Sequence, residues 1–154
     1  MSNLCIIPAR GGSKRIPRKN IKPFLGKPII AYSIEAALNS KLFDEVMVST
    51  DDFEIATIAK KYGASVPFMR SDKTANDFAT TFDVIFEVLQ KYELLNKKFD
   101  FSCCIYPCAP FITAEKLVDS FQILQKNNFD SVFPIMPFGF PIQRALKQKG
   151  HKVS

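Results

Sequence analysis

The sequence predicts an α/β fold in which helices cover both faces of a mostly parallel sheet. Short apolar runs typical of buried strands alternate with longer segments whose apolar residues recur every three or four positions. A loop rich in glycine and basic residues directly follows the first apolar run. Sheets of this kind bind ligands beyond the carboxyl ends of their strands. We therefore expect a three-layer α/β/α sandwich with a ligand site at one edge.

Length and composition indicate a globular domain. The chain has 154 residues, and 47% of them are hydrophobic, so it can bury a sizeable core. No apolar run approaches the roughly 20 residues of a membrane span. The apolar start at residues 3–9 is too short for a signal peptide and lacks a charged flank. We therefore expect a cytoplasmic protein that does not bind membranes.

The first half of the chain predicts three strands and two helices. Residues 4–7 and 45–50 are apolar runs typical of strands, and residues 65–69 form a shorter one broken by proline. The first helix carries Ile30, Ile34 and Leu38 on one face. The second helix is predicted from the three-residue spacing of a capping box at Asp51 and Glu54 and from the stop signal of Gly63.

The second half predicts two more helices and two more strands. Asp77 is expected to cap a helix over residues 78–92, and Thr113 is expected to cap the next one. Strands are expected at residues 101–106 and 130–136. The apolar stripe of the first of these helices comprises Phe78, Phe82, Ile85, Phe86 and Leu89.

The loop after the first strand carries the strongest functional signal. Gly11 and Gly12 precede Ser13, and residues 10–27 hold seven of the 21 basic residues and no acidic one. The glycines can adopt positive φ and let the backbone come close to a ligand. Successive N–H groups in such a turn bind anions. The loop is therefore predicted to hold a polyphosphate; the alternative is a solvated basic loop that only joins a strand to a helix.

Charge and cysteine content narrow the possible partners. The net charge is +6 and concentrated in one loop, which favours an anionic small molecule over nucleic acid, with RNA binding as a weaker alternative.

The four cysteines, Cys5, Cys103, Cys104 and Cys108, lie in apolar surroundings without Cys-x-x-Cys spacing. They are predicted to be buried reduced thiols rather than a zinc site.

A family resemblance is carried by the same loop. The chain reads Pro-Ala-Arg-Gly-Gly-Ser-Lys at residues 8–14 and Pro-Arg-Lys-Asn at residues 17–20. This segment resembles the signature of the acylneuraminate cytidylyltransferases, which join CMP to sialic-acid-like sugars. The resemblance implies a Rossmann-like fold of the nucleotide-diphospho-sugar transferase type. It also implies transfer of CMP from CTP to a nine-carbon α-keto acid sugar, with release of pyrophosphate.

The resemblance implies roles for individual residues. Arg10 and Lys19 match catalytic residues that hold the leaving phosphates. Arg70 begins a segment similar to the family's cytosine-binding loop, although Ser71 stands where proline is usual. The implied nucleotide site comprises Ala9, Arg10, Gly11, Gly12, Ser13, Lys14, Lys19, Asn20, Arg70, Ala79 and Thr81.

The sugar site is implied by the segment Tyr-Pro-Cys-Ala-Pro-Phe at residues 106–111. It resembles the pseudaminic acid branch of the family, with Tyr106 and Pro107 facing the sugar. Sialic acid or Kdo is the alternative acceptor. The alternative to a sugar-binding role is that Tyr106 only packs at the end of a strand. Residues 138–144 are a second, weaker candidate for the sugar site.

Mg²⁺ is implied as the cofactor, held in the family by an aspartate pair near the C-terminus. No acidic residue follows Asp130, so that pair is not in this chain and no metal ligands are assigned. The adjacent Asp51 and Asp52 are a candidate metal pair or, alternatively, a helix cap. A truncated nucleotide-binding module without catalysis is therefore the alternative function.

We assign residues 1–136 to a nucleotide-binding core and residues 137–154 to the start of a C-terminal region. Because the family is longer, this region is expected to be truncated. Family members form homodimers through a lobe that follows the core. Such a dimer is implied here, although the lobe is not visible in this sequence.

Overall fold

The computed structural model describes residues 1–137 and 139, and the backbone of two short strands near the C-terminus. Its centre is a parallel three-stranded sheet of β1 (Asn3–Pro8), β4 (Glu45–Ser49) and β5 (Phe101–Cys104), in the order β4-β1-β5. The remaining elements are a 3-10 helix (Lys19–Ile21), β2 (Pro23–Phe24), β3 (Lys27–Pro28), α1 (Ile29–Ser40), α2 (Phe53–Lys61), α3 (Thr81–Leu94), α4 (Ala114–Lys126), β6 (Gln148–Lys149) and β7 (Lys152–Val153).

The sheet is covered on both faces, which confirms the predicted three-layer sandwich. Alternate side chains of β1 point to opposite faces, as the pleat of a strand requires. Cys5 and Ile7 pack in a core with α1, α2 and α4. Leu4 and Ile6 pack on the other face against Val88 and Tyr92 of α3. A strand buried on both faces needs a continuous apolar sequence, and this is the reason that β1 could be recognised.

Three predicted elements are shorter or absent. Residues 65–69 contribute one parallel bridge, from Ser65 to Met47, because Pro67 has no N–H to extend a ladder. β5 ends at Cys104 rather than at residue 106. Residues 131–136 have no regular structure and are exposed, so the strand predicted at 130–136 is wrong for the part of the chain that the structure describes.

The start and the inward face of α3 also differ from the prediction. Its N-cap is Thr80, whose hydroxyl and backbone form a reciprocal capping box with Asp83. Asp77 is therefore not a helix cap. Val84, Val88 and Tyr92 point inward. Of the predicted stripe, Ile85 and Leu89 pack half-buried on this core, whereas the three phenylalanines, Phe78, Phe82 and Phe86, are exposed. The phenylalanine row and the inward row both repeat every four residues, so periodicity could not distinguish them.

The ends of α1 and α2 show smaller differences. Asp52, not Asp51, caps α2, and one of its carboxylate oxygens accepts hydrogen bonds from the N–H groups of Glu54 and Ile55. In α1 the predicted Ile30 and Ile34 are buried, but Leu38 is 40% exposed. None of the helices within the described residues is long and apolar enough to span a membrane. The weaker sugar-site candidate at residues 138–144 lies, except for Gly139, outside the described residues.

Candidate functional site

The loops that follow the three strands lie together at one edge of the sheet. Parallel strands place their carboxyl ends side by side. The N–H of Ala9, just after β1, donates to the carbonyl of Ser49 at the end of β4, 2.9 Å away. The N–H of Arg70 donates to the carbonyl of Thr50, 2.8 Å away. The basic loop after β1 and the loop that begins at Arg70 therefore start from the same place.

The basic loop is held against the start of α2. The N–H of Gly11 donates to the carboxylate of Asp51 at 2.9 Å. A Cβ atom on Gly11 would lie 2.6 Å from Oδ2 of Asp52, whereas one on Gly12 would meet nothing within 4 Å. Neither Gly11 nor Gly12 adopts the positive φ that glycine permits, since the glycines with positive φ in the described chain are Gly26 and Gly63. Gly11 is needed for close approach to Asp52 instead.

Arg18 holds the other end of the loop. Its backbone is left-handed, with φ of 55°, and its guanidinium donates to both carboxylate oxygens of Asp52, at 2.5 and 3.1 Å. It also pairs with Glu54. The hydrogen bond from Arg18 lowers the pKa of Asp52. The positive charge of Arg18 is therefore used to attach the loop to α2.

Asn20 joins the basic loop to the loop after β5. The side chain is buried, and its amide nitrogen donates to the carbonyl of Arg10 at 2.9 Å. Its amide oxygen lies 3.5 Å from the Sγ atom of Cys108. Burial raises the pKa of Cys108, and the positive charge of nearby Lys19 opposes this effect. Lys19 itself is exposed at the start of the 3-10 helix.

Two basic residues of the loop converge on one carboxylate. Nη2 of Arg10 lies 2.6 Å from Oδ1 of Asp77, and the ammonium group of Lys14 pairs with Oδ2. The hydrogen bonds from Lys14 and Arg10 lower the pKa of Asp77, so this carboxylate is ionised at neutral pH. We call Arg10, Lys14 and Asp77 the charge triad. No sequence pattern indicated this triad, because Asp77 lies more than 60 residues after Arg10 and Lys14.

Arg70 is buried and packs against the last residue of β4, Ser49. Its Nε and Nη2 atoms donate to the hydroxyl and carbonyl of Ser49, at 3.1 and 2.6 Å. Burial lowers the pKa of Arg70. These contacts fix the guanidinium to the sheet edge with two of its nitrogens. Its predicted contact with a nucleobase stays a prediction.

Glu87 of α3, which the sequence did not identify, anchors the segment after Arg70. Its carboxylate accepts from both the N–H and the hydroxyl of Ser71, each at 2.9 Å, and also pairs with Thr74 and Lys91. Burial would raise the pKa of Glu87, but the hydrogen bonds from these groups lower it to about 2. The start of the 71–80 loop is thus fixed independently of the charge triad.

The predicted sugar-site residues lie beside the first turn of α3. The hydroxyl of Tyr106 is 2.9 Å from that of Thr81, and the Tyr106 carbonyl accepts from Ser33 at 2.9 Å. The ring of Tyr106 is exposed, whereas Pro107 is buried. The N–H of Ala79 is occupied by the side chain of Asn76. Tyr106 and Thr81, predicted for sugar and nucleotide, therefore come together.

The described residues do not form a metal centre. They contain no group of three or more histidine, cysteine or acidic side chains placed to hold an ion. Asp51 accepts from Gly11, and Asp52 is used by Arg18 and by the cap of α2. These two carboxylates therefore do not fit the magnesium site considered from the sequence. All four cysteines are free thiols, but only Cys5 is buried, whereas the other three are half-buried.

Comparison with known proteins gives a consistent result. Residues 4–147 match the family model described as cytidylyltransferase. The chain is 48% identical over 146 residues to the pseudaminic acid cytidylyltransferase of Campylobacter jejuni. The aligned region covers 95% of this chain and 63% of that protein. It is 39% identical to the CMP-N,N'-diacetyllegionaminic acid synthase of Legionella pneumophila, over 99% of this chain and 66% of that protein. The chain therefore spans about two thirds of the length of these relatives.

A solved structure shares the fold. A CMP:2-keto-3-deoxy-manno-octonic acid synthetase complexed with CTP superposes with a TM-score of 0.69 and 27% sequence identity. The superposition covers 83% of this chain and 49% of that one. The predicted fold type is thereby confirmed for the part of the chain that the structure describes.

Proposed function

Because this chain belongs to the cytidylyltransferase family, we propose that it binds CTP and transfers CMP to a nine-carbon α-keto acid sugar. Pseudaminic acid is the acceptor we favour, since the Campylobacter relative that is 48% identical carries that name. The resemblance stated from the sequence is confirmed at the level of the family. The activity and substrates are proposed, because the chain spans only part of its relatives.

The charge triad is the observation that carries the proposal. Arg10 and Lys14 converge on a single anionic group at the carboxyl edge of a parallel sheet, where such folds bind ligands. A phosphate group presents the same chemistry as a carboxylate, namely negatively charged oxygens that accept from forked and point-like cations. We propose that the β- and γ-phosphates of CTP bind there, together with Lys19.

The reaction would be an in-line displacement at the α-phosphorus. The anomeric hydroxyl oxygen of the sugar forms a bond to this phosphorus, while the bond to the bridging oxygen of the β-phosphate breaks and pyrophosphate leaves. The hydroxyl proton passes to a base that we do not assign. The contribution of Arg10 and Lys19 is to neutralise charge that develops on pyrophosphate. The N–H of Gly12 and the hydroxyl of Ser13 would add donors.

The nucleoside and the sugar would lie on either side of the phosphates. We propose that cytosine is bound near Arg70, Ala79 and Thr81, and that Asn20 holds the loop in place beside the nucleotide. The sugar would contact the ring of Tyr106, and the buried Pro107 would support the same wall. The exposed ring of Tyr106 supports this, because an apolar wall suits a deoxygenated, acylamino sugar.

The cofactor expected from the family is Mg²⁺, but the carboxylates Asp51 and Asp52 do not fit such a site, so no step is assigned to a metal. The second candidate function, stated from the sequence, is a module that binds CTP without turning it over. A reaction that consumes CTP and a sugar acid would take place where both are made, and we therefore place it in the cytoplasm. The homodimer implied by the family stays a prediction.

Calorimetry and product analysis test the proposal. We expect the chain to bind CTP more tightly than UTP or ATP, and Arg10→Ala to weaken CTP binding at least tenfold. Arg15→Ala is the matched control, because Arg15 lies exposed in the same loop. Equal binding of the three nucleotides would contradict the CTP assignment.

Pyrophosphate release is then measured with pseudaminic acid, N-acetylneuraminic acid and Kdo as acceptors. Release with pseudaminic acid alone supports the full proposal, and equal rates with N-acetylneuraminic acid would exclude our choice of acceptor. CTP binding without release from any sugar would favour the non-catalytic module.

A further inference from the structure

Among the described residues, Asp77 makes no contact that gives it a structural role outside the charge triad. The sequence predicted it as the cap of α3, but Thr80 and Asp83 form that cap. The turn around Asp77 is shaped by its neighbour Asn76, whose side-chain oxygen accepts from the N–H groups of Phe78 and Ala79 at 2.8 and 2.9 Å. Within the part of the chain that the structure describes, the Asp77 carboxylate forms ion pairs with Arg10 and Lys14.

We propose that Asp77 is a competitor of the substrate, which occupies the phosphate position in the ligand-free protein and is displaced when a polyphosphate binds. This inference rests on the proposed function, since it concerns the same two cations. The carboxylate satisfies Arg10 and Lys14 while no phosphate is present. A phosphate ligand must break both ion pairs before it can use these donors, so Asp77 lowers the affinity for every ligand that needs them.

The surroundings of Asp77 allow such a displacement. Its side chain is 35% exposed, so the carboxylate can turn toward water, where hydration offsets much of the lost ion pairing. The beginning of the 71–80 loop is held by Glu87 through Ser71 and Thr74, and its end is held by the cap of α3. Asp77 lies between these two anchors and can move away while both remain in place.

The displacement also links phosphate binding to the proposed nucleobase site. Ala79 and Thr81 follow Asp77 within four residues, and Thr81 contacts Tyr106. A movement of Asp77 away from Arg10 therefore shifts Ala79, which lies between Asp77 and the cap of α3, whereas Thr81 stays with the helix. Binding of the triphosphate would in this way set the position of the nucleobase loop.

The variant Asp77→Asn tests the inference with inorganic pyrophosphate as the probe. It removes the negative charge and retains the size of an exposed side chain, so the fold is expected to be unchanged. We expect pyrophosphate and CTP to bind the variant about three- to tenfold more tightly than the wild type, as expected for the loss of two partly exposed ion pairs. Asp72→Asn is the matched control, since Asp72 is an exposed acid of the same loop. The affinity of this variant for pyrophosphate should differ less than twofold from that of the wild type.

The possible results separate the inference from the proposed function. If Arg10→Ala weakens pyrophosphate binding but Asp77→Asn leaves it unchanged or weakens it, the phosphate site stands and the competitor role of Asp77 is wrong. If Asp72→Asn strengthens binding as much as Asp77→Asn, the effect is one of net charge and the inference is equally wrong. If the wild type binds no pyrophosphate and Asp77→Asn gains none, both proposals fail.

Discussion

Arg18 and Asp52 form a forked ion pair that joins the basic loop to the first turn of α2. The two guanidinium–carboxylate distances are 2.5 and 3.1 Å. The pair has a cost, because Arg18 adopts a left-handed backbone conformation that side chains other than glycine, asparagine and aspartate seldom take. Together with the hydrogen bond from Gly11 to Asp51, it fixes both ends of the segment between residues 11 and 18. Lys14 lies inside that segment.

Loss of this ion pair is expected to lower the affinity for CTP while leaving the stability of the fold nearly unchanged. Asp52→Asn removes the charge but keeps a side chain that caps helices equally well, so the melting temperature should change by only a few degrees. The affinity for CTP should fall about three- to tenfold, because the loop must then be ordered at the expense of binding energy. Calorimetry and thermal unfolding of Asp52→Asn, Arg18→Met and the double variant measure both effects. If the loss of CTP affinity in the double variant equals the sum of the losses in the two single variants, the two residues act independently.

Gly11 and Gly12 should respond very differently to alanine. A Cβ on Gly11 would overlap Asp52 at 2.6 to 3.1 Å, whereas Gly12 has open space. Gly11→Ala should therefore destabilise the protein by about 1–3 kcal/mol, the usual cost of overpacking, and should also weaken CTP binding. Gly12→Ala is the matched control and should unfold like the wild type in a urea titration. A stable Gly11→Ala variant with unchanged CTP affinity would show that the loop need not lie against α2.

Local sequence patterns predicted the sheet and the basic loop, because both depend on neighbouring residues. The buried strand β1 requires a continuous apolar run, and a glycine-rich basic segment directly after it has few other uses. The contacts that shape the site were not predictable in the same way. Asp51 and Asp52 are adjacent, and which one caps α2 depends on Gly11, about 40 residues earlier. The partner of Arg18 likewise depends on tertiary contact.

Glu87 should make stability depend on acid pH. Its pKa is lowered to about 2 in the folded protein, while an unfolded glutamate titrates near 4.3. The folded state therefore gains stability from the ionised carboxylate above about pH 4, and this gain is lost as the pH falls toward 2. The variant Glu87→Gln should be less stable than the wild type at pH 6, and the two should approach each other near pH 2. Urea unfolding at several pH values measures the difference.

The control for Glu87 is Glu93→Gln on the same helix. Glu93 is 66% exposed and pairs with Lys98 at 3.3 Å, so its replacement should have little effect at any pH. A difference between the wild type and Glu87→Gln that stays constant from pH 6 to pH 2 would mean that Glu87 acts by packing rather than by charge. Because Glu87 holds Ser71 and Thr74, the same variant should also loosen the 71–80 loop in hydrogen exchange.

The two rows of apolar residues on α3 should differ sharply in their tolerance of substitution. Val88 is 1% exposed against Leu4 and Ile6 of the sheet, whereas Phe82 is 70% exposed. Val88→Ala should therefore lower the free energy of unfolding by about 1–3 kcal/mol through lost burial and a residual cavity. Phe82→Ser removes a larger side chain, yet it should change stability by less than about 0.5 kcal/mol, as for other exposed positions. Urea unfolding of both variants decides the matter, and a larger loss in Phe82→Ser would mean that the phenylalanine row of α3 is covered in solution.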